Sequence, residues 1–156
     1  MITNDILRRL RFALDLNDAQ AVAMITSAGW ELDALDLVSY LAKESDGHFE
    51  TCPDDVLRAF LDGLITERRG PRDPSAPLPP EGTLDNNLIL RKLRIALNLK
   101  EPAMLALLKR GGMDVSPSEL GALFRNPANK HYRVCGDQFL RAFLRGLTIE
   151  ERGVDG

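Results

Sequence analysis

LRAFLDGL at residues 57–64 returns almost unchanged as LRAFLRGL at residues 140–147. The two octapeptides belong to a longer repeat, in which residues 4–70 align without a gap with residues 87–153 at a constant offset of 83. Of the 67 aligned positions, 25 are identical. A repeat of this length is a whole structural unit, so the chain is predicted to build one small fold twice.

Apolar residues recur with helical spacing in each copy, and neither copy has a convincing alternating strand pattern. Four helices are predicted in the first copy, over about residues 4–16, 18–28, 33–43 and 53–69. Gly63 and Gly146 lie inside the last helix of the two copies. A glycine there costs about 1 kcal/mol relative to alanine. Its recurrence predicts a close contact between helices at this position.

The two copies are joined by a proline-rich segment. Residues 71–86, PRDPSAPLPPEGTLDN, contain five of the nine prolines and no periodic apolar pattern, which predicts a stiff, extended linker. The predicted domains are therefore an N-terminal repeat (1–70), the linker and a C-terminal repeat (87–156). The predicted fold is all-α, with two homologous four-helix units related by a pseudo-twofold axis.

The composition is that of an ordinary soluble globular protein, with 44% hydrophobic and 28% charged residues. No apolar run approaches the length of a membrane-spanning helix. The N-terminus, MITNDILRRLRF, is amphipathic and lacks the apolar core of a signal peptide. With only two cysteines, these features predict a cytoplasmic protein whose thiols are not paired in disulfides.

The net charge of −3 conceals opposite charges on the two copies. Residues 4–70 carry seven basic and thirteen acidic side chains, whereas residues 87–153 carry twelve basic and six acidic ones. One interpretation is that the two copies simply attract each other. The alternative is that the C-terminal copy presents a basic surface to an anionic partner.

Both histidines and both cysteines of the chain fall in one repeated pattern, H-x3-C-x-D. The residues are His48, Cys52 and Asp54, with His131, Cys135 and Asp137 in the second copy. Two histidines and two thiolates form a tetrahedral zinc set, and a thiol at a helix N-terminus can acquire a lowered pKa. The favoured interpretation is structural: the cysteines are small buried residues where the fourth helix begins, and the aspartates complement its dipole.

Several charged residues also recur in both copies. Arg8, Arg58 and Glu67 return as Arg91, Arg141 and Glu150. Because the surfaces of the copies have otherwise diverged in charge, these residues are interpreted as mainly structural. Asp54 and Glu67 are the expected partners of the arginines.

The strongest binding signal lies at residues 113–133 of the basic copy. The run VSPSELGALFR resembles the second helix of a helix-turn-helix, with Ser116 as the N-cap, and a basic loop follows it. The side chains expected to contact nucleic acid are Ser118, Arg125, Asn129, Lys130, Tyr132 and Arg133.

Motifs of nucleotide-binding loops and metalloprotease helices do not occur in the sequence. No enzymatic activity and no cofactor are therefore expected. The main interpretation is a binding or regulatory protein acting through protein–protein contact. The alternative is a nucleic-acid-binding protein that uses the basic C-terminal repeat, and the oligomeric state stays open.

The chain resembles the YehS-type family of bacterial proteins of unknown function. The resemblance rests on NDILRRLR near the start, CPDDVLRAFLDGLITERRG at 52–70, NNLILRKLRIALNLK at 86–100 and CGDQFLRAFLRGL at 135–147. It implies a duplicated domain and a bacterial origin. It implies no activity, substrate or functional residue.

Overall fold

Eight α-helices form the regular structure in the computed structural model, which describes residues 1–75 and 81–154. In chain order the helices are α1 (Thr3–Ala13), α2 (Asp18–Ser27), α3 (Ala34–Leu41), α4 (Asp54–Arg69), α5 (Asn86–Ala96), α6 (Glu101–Arg110), α7 (Pro117–Ala122) and α8 (Asp137–Arg152). Those described ranges contain no strand, and none of their helices is long and apolar enough to cross a membrane. The predicted all-α fold is confirmed.

The helix ends follow from local backbone chemistry. α1 stops at Ala13, three residues before its predicted end, because Asp15 adopts a left-handed conformation with φ of 53°. The equivalent Asn98 in the second copy has φ of 52°. Aspartate and asparagine are among the few residues other than glycine that tolerate this conformation. α2 ends just before Gly29, whose φ of 96° gives the predicted glycine stop.

Gly63 and Gly146 lie at the closest helix contacts of the fold. A Cβ atom placed on Gly63 would lie 2.1 Å from the carbonyl oxygen of Met24 on α2. A Cβ atom on Gly146 would lie 1.8 Å from the carbonyl oxygen of Leu107, the equivalent residue on α6. The close contact predicted from the recurring glycine is confirmed, and it joins α4 to α2 and α8 to α6.

The first helix of each copy packs mainly on the last helix of the other copy. α1 lies against α8, and the pseudo-twofold relation places α5 against α4 in the same way. The largest fully buried side chains come mainly from these four helices and include Leu7, Leu10, Phe60, Leu90, Leu93 and Phe143. One hydrophobic cluster runs through both copies, so the two four-helix units share a core.

A buried asparagine in each copy joins the first helix to the loop before the last helix. The side chain of Asn4 donates to the carbonyls of Tyr40 and Glu50, at 3.1 and 2.8 Å, and accepts from the backbone N–H of Cys52 at 2.9 Å. The same three bonds in the second copy join Asn87 to Leu123, Arg133 and Cys135. These bonds satisfy backbone groups that would otherwise be buried without partners.

The end of the linker is held across the contact between α4 and α5 by a group of charged residues. Lys92 is almost completely buried and pairs with Asp62 at 2.5 Å and with Glu81. Arg58 binds Glu81 at 3.0 Å and the carbonyl of Gly82 at 2.7 Å. Burial would raise the pKa of Glu81, but Lys92 and Arg58 outweigh that effect and lower it. Residues 76–80 of the predicted extended linker lie outside the described residues.

The repeated arginines beside α3 and α7 bind backbone carbonyls rather than the expected carboxylates. Arg8 donates to carbonyls at the end of α3, and Arg91 donates to the carbonyl of Phe124 just after α7. Asp54, one of the expected partners, accepts a hydrogen bond from the hydroxyl of Thr3. These arginines therefore have a structural role, stabilising the C-terminal ends of the two short helices.

Candidate functional site

The segment between α6 and α8 begins with a short capped helix. The hydroxyl of Ser116 accepts from the N–H of Glu119 at 3.1 Å, and the carboxylate of Glu119 accepts from the N–H of Ser116. Leu120 and Leu123 point into the core, as expected. α7 has only six residues, fewer than two turns, and lacks the length of a recognition helix. The expected helix-turn-helix is therefore a single short helix followed by a loop.

The loop after α7 is shaped by its asparagines. The side-chain oxygen of Asn129 accepts from the backbone N–H of His131 at 2.8 Å, and its own backbone N–H donates to the carbonyl of Asn126 at 2.8 Å. Asn129, expected to contact nucleic acid, thus has a clear role in the turn. Lys130, between these bonded residues, has an exposed side chain.

A hollow of about 390 Å³ lies between α7 and the returning segment of this loop. We call it the α7 hollow, and its lining residues are Ser118, Glu119, Ala122, Arg125, His131 and Arg133. The backbone of Arg133 is held on both sides, because its N–H donates to Ala122 and its carbonyl accepts from Asn87. Three of the six residues expected to bind nucleic acid therefore lie around one hollow.

Two positive charges of the α7 hollow are unneutralised. Within residues 1–75 and 81–154, the guanidinium groups of Arg125 and Arg133 form no hydrogen bond or ion pair. Some other arginines of the fold are paired: Arg110 binds Glu150 at 3.0 Å, and Arg152 binds Asp15 at 2.5 Å. Arg125 and Arg133 thus remain available to an anion.

A second, larger hollow adjoins the first at Arg125. This seam groove has a volume of about 950 Å³ and lies where α4, α5, the end of the linker and the loop after α7 meet. Its apolar wall includes Ile65, Leu88 and Ile95, and its polar wall includes Arg91, Arg125 and Tyr132. Arg125 lines both hollows. The half-buried Tyr132 lines the seam groove, whereas Arg133 lines the α7 hollow.

The equivalent face of the N-terminal copy has different chemistry. Ser118, Arg125 and Arg133 correspond to Leu35, Ala42 and Glu50. On α3 the apolar residues Leu35 and Val38 are 77% and 48% exposed. The same backbone therefore presents an apolar and acidic face in one copy and a basic hollow in the other.

The repeated cysteines are buried, whereas the histidines of the same pattern are exposed. Cys52 and Cys135 each have 2% of their surface exposed, and no disulfide joins them. Burial, together with the neighbouring carboxylates of Asp54 and Asp137, raises the pKa of each thiol to about 12. This direction is opposite to the one that a nucleophilic or redox-active thiol requires.

A zinc site would need the repeated histidines and cysteines in one place. His48 and His131 are on exposed loops, while the two thiols lie in the core. Across the described residues, no group of three histidine, cysteine, aspartate or glutamate side chains is arranged to hold a metal ion. The geometry agrees with the structural interpretation, in which each cysteine fills space where α4 or α8 begins.

A family model described as "Protein of unknown function (DUF1456)" matches residues 3–70 and, a second time, residues 86–153. The chain belongs to the DUF1456 family. Among its relatives, the uncharacterized protein YehS of Escherichia coli (strain K12) is 45% identical over 152 residues, which cover 97% of each chain. No solved structure matches. The resemblance to the YehS-type family is confirmed.

Two structurally important groups in this DUF1456 protein were missed by sequence reasoning. Asn4 and Asn87 are identical in the two copies, and their position at the start of an apolar helix was the signal for a buried polar contact. No sequence signal indicated that Lys92 is buried. The equivalent residue of the first copy, Arg9, is also basic, and it is exposed. The burial of Lys92 depends on contacts that are distant in sequence, with Asp62 on α4 and with Glu81 at the end of the linker.

Proposed function

We propose that this protein is a non-enzymatic binding protein whose basic C-terminal half binds single-stranded nucleic acid. One observation supports the proposal above the others. Arg125 stands between two adjoining hollows, with the guanidinium of Arg133 in one and Tyr132 in the other. Positive side chains that follow a strand, together with an aromatic ring for stacking, are the usual elements of single-strand binding.

A single strand fits this surface better than a duplex does. Reading a duplex in the major groove requires an exposed helix of sufficient length, and α7 has six residues. A flexible single strand can instead place its phosphates and bases in separate hollows. The acidic copy offers no equivalent surface, because Ala42 and Glu50 stand where Arg125 and Arg133 stand in the basic copy.

The test is fluorescence anisotropy with labelled single strands of roughly 15 nucleotides, compared with the matching duplex, as salt is varied. Binding through phosphates must weaken linearly in a plot of log affinity against log salt concentration. In a double variant, Arg125→Ala with Arg133→Glu, this line should become less steep. The magnitude of its slope should decrease by about 0.7 for each phosphate that the variant no longer neutralises.

Lys109→Thr removes one positive charge from α6 outside both hollows, and it is the matched control for Arg125→Ala alone, which removes one positive charge inside them. Threonine is the residue at the equivalent position of the first copy, Thr26. Single-strand binding should be nearly unchanged in this variant. No binding at low salt, or equal losses of affinity in Lys109→Thr and in Arg125→Ala, would overturn the proposal.

Protein binding by the acidic half is a second candidate function. Its specific observation is the exposure of Leu35 and Val38 on α3, beside carboxylates such as Asp36. Exposed apolar side chains rimmed by charge are typical of protein contacts.

Leu35→Ser with Val38→Ser should abolish capture of partners by tagged, nuclease-treated protein. Val154→Ser, at another exposed apolar residue, should leave capture intact, and identical capture by all three proteins would contradict this function.

A further inference from the structure

The α7 hollow has a combination of charge and size that specifies its ligand more narrowly than a basic surface does. Its two guanidinium groups, on Arg125 and Arg133, have no partner in the described part of the chain. The hydroxyl of Ser118 and the ring of His131 add hydrogen-bond donors to the same wall. Its volume of about 390 Å³ is at the small end of the range for ligand sites.

The charge in the hollow matches a doubly charged group. A phosphomonoester carries about −1.5 to −2 at neutral pH, whereas each phosphodiester inside a strand carries one negative charge. Arginine recognises phosphate oxygens through two parallel N–H groups, so two arginines suit the several free oxygens of a monoester. Glu119 is also in the wall, but its carboxylate accepts from the N–H of Ser116, and the lining keeps a net positive charge.

We propose that the α7 hollow is a binding site for a phosphomonoester group, either at the end of a nucleic-acid strand or on a free nucleotide. In the strand-end form this inference rests on the function proposed above. Arg125 then has a double role, because it holds the terminal phosphate in the α7 hollow while the strand continues along the seam groove. The free-nucleotide form needs the α7 hollow alone.

Because the chain is duplicated, the residues found in one copy can be introduced at the equivalent positions of the other copy. Arg125→Ala and Arg133→Glu convert the hollow to the chemistry of Ala42 and Glu50. The reverse changes, Leu35→Ser with Ala42→Arg and Glu50→Arg, build a second hollow on the N-terminal copy. Both sets of substitutions are therefore expected to fold, and thermal unfolding followed by circular dichroism verifies this.

The experiment compares one single-stranded sequence with a 5′-phosphate, with a 3′-phosphate and with hydroxyl groups at both ends, and a nucleoside monophosphate alone. Titration calorimetry of the intact chain measures the affinity and the number of sites. We expect one phosphorylated end to bind about tenfold or more tightly than the hydroxyl-ended strand. Arg125→Ala with Arg133→Glu should remove this preference, Lys109→Thr should keep it, and the reverse variant should bind two monophosphates instead of one.

The outcomes separate this inference from the function on which it rests. Equal affinity for all three strand ends, with no binding of the monophosphate, overturns the inference and leaves single-strand binding standing. Binding of the monophosphate with no affinity for any strand overturns single-strand binding and supports the free-nucleotide form. A preference for phosphorylated ends that survives in Arg125→Ala with Arg133→Glu overturns the assignment to the α7 hollow.

Discussion

At the scale of single residues, burial decides the chemistry of the two thiols. Cys52 and Cys135 lie at the start of a long helix, where a thiolate would be favoured in an exposed site. Here the loss of solvation is the larger effect, and the nearby aspartates add to it, so the pKa of each thiol rises to about 12. Neutral thiols of this kind act as small apolar side chains.

We therefore predict that both thiols react slowly with a disulfide reagent such as DTNB in the folded protein at pH 8. A raised pKa leaves little thiolate at that pH, and the reaction should proceed only through unfolding. In guanidinium chloride, which unfolds the protein, both thiols should react with DTNB at the rate of free cysteine. Fast reaction of either thiol under native conditions would contradict the raised pKa and restore a redox role.

Asn87 gives a second residue-scale prediction. Asn87→Ala removes three hydrogen bonds and leaves the N–H of Cys135 and two carbonyls without their partner. The free energy of unfolding should fall by about 2–3 kcal/mol. Urea unfolding measures this loss, and Gln138→Ala, at an exposed residue of α8, is the control that should change stability by less than about 0.5 kcal/mol. Equal stability of the two variants would show that the asparagine is not needed.

At the scale of helices, the glycines set the distance between α2 and α4 and between α6 and α8. Alanine is favoured over glycine inside a helix by about 1 kcal/mol. At Gly63 and Gly146 that preference is outweighed, because the added methyl group would meet the backbone of the facing helix at 2.1 and 1.8 Å. Backbone atoms cannot move aside without separating the helices.

We predict that Gly63→Ala lowers the free energy of unfolding by about 2–4 kcal/mol, since it forces overpacking against a rigid neighbour. Gly121→Ala, within α7, is the matched control: no atom lies within 4 Å of the position of its Cβ, and the first copy has Val38 there. This control should be neutral or slightly stabilising. Thermal unfolding of both variants compares them directly, and a stable Gly63→Ala protein would mean that the helices can separate at little cost.

At the scale of the whole molecule, the pairing of α1 with α8 and of α4 with α5 makes the two copies dependent on each other. Each copy keeps its contact between the second and fourth helices, but most partners of its first helix lie in the other copy. A separated copy would expose a large apolar surface. Such small units are marginally stable even when their core is intact.

We predict that fragments 1–75 and 81–156 fold poorly when produced alone and recover helical structure when mixed in equal amounts. Circular dichroism measures the helix content, and analytical ultracentrifugation measures the stoichiometry of the complex. Each fragment alone is expected to be partly unfolded or to dimerise, since two identical copies can repeat the same pairing. A fragment that is a cooperatively folding monomer would contradict the shared core.

The sequence by itself determined the number of helices, the duplication, most helix ends and the helix contact at Gly63 and Gly146. Most of these features depend on local chemistry, namely apolar spacing, capping side chains and glycine. The duplication itself is visible from the residues that are identical at equivalent positions of the two copies. Only the tertiary structure decided that α1 is covered mainly by α8 rather than by α4. It also placed Arg125 and Arg133 around one hollow without a partner among the described residues, and it buried Lys92 against Glu81 at the end of the linker. Periodicity shows which face of a helix is buried but not which helix covers it, and whether a charged side chain is paired depends on neighbours distant in sequence.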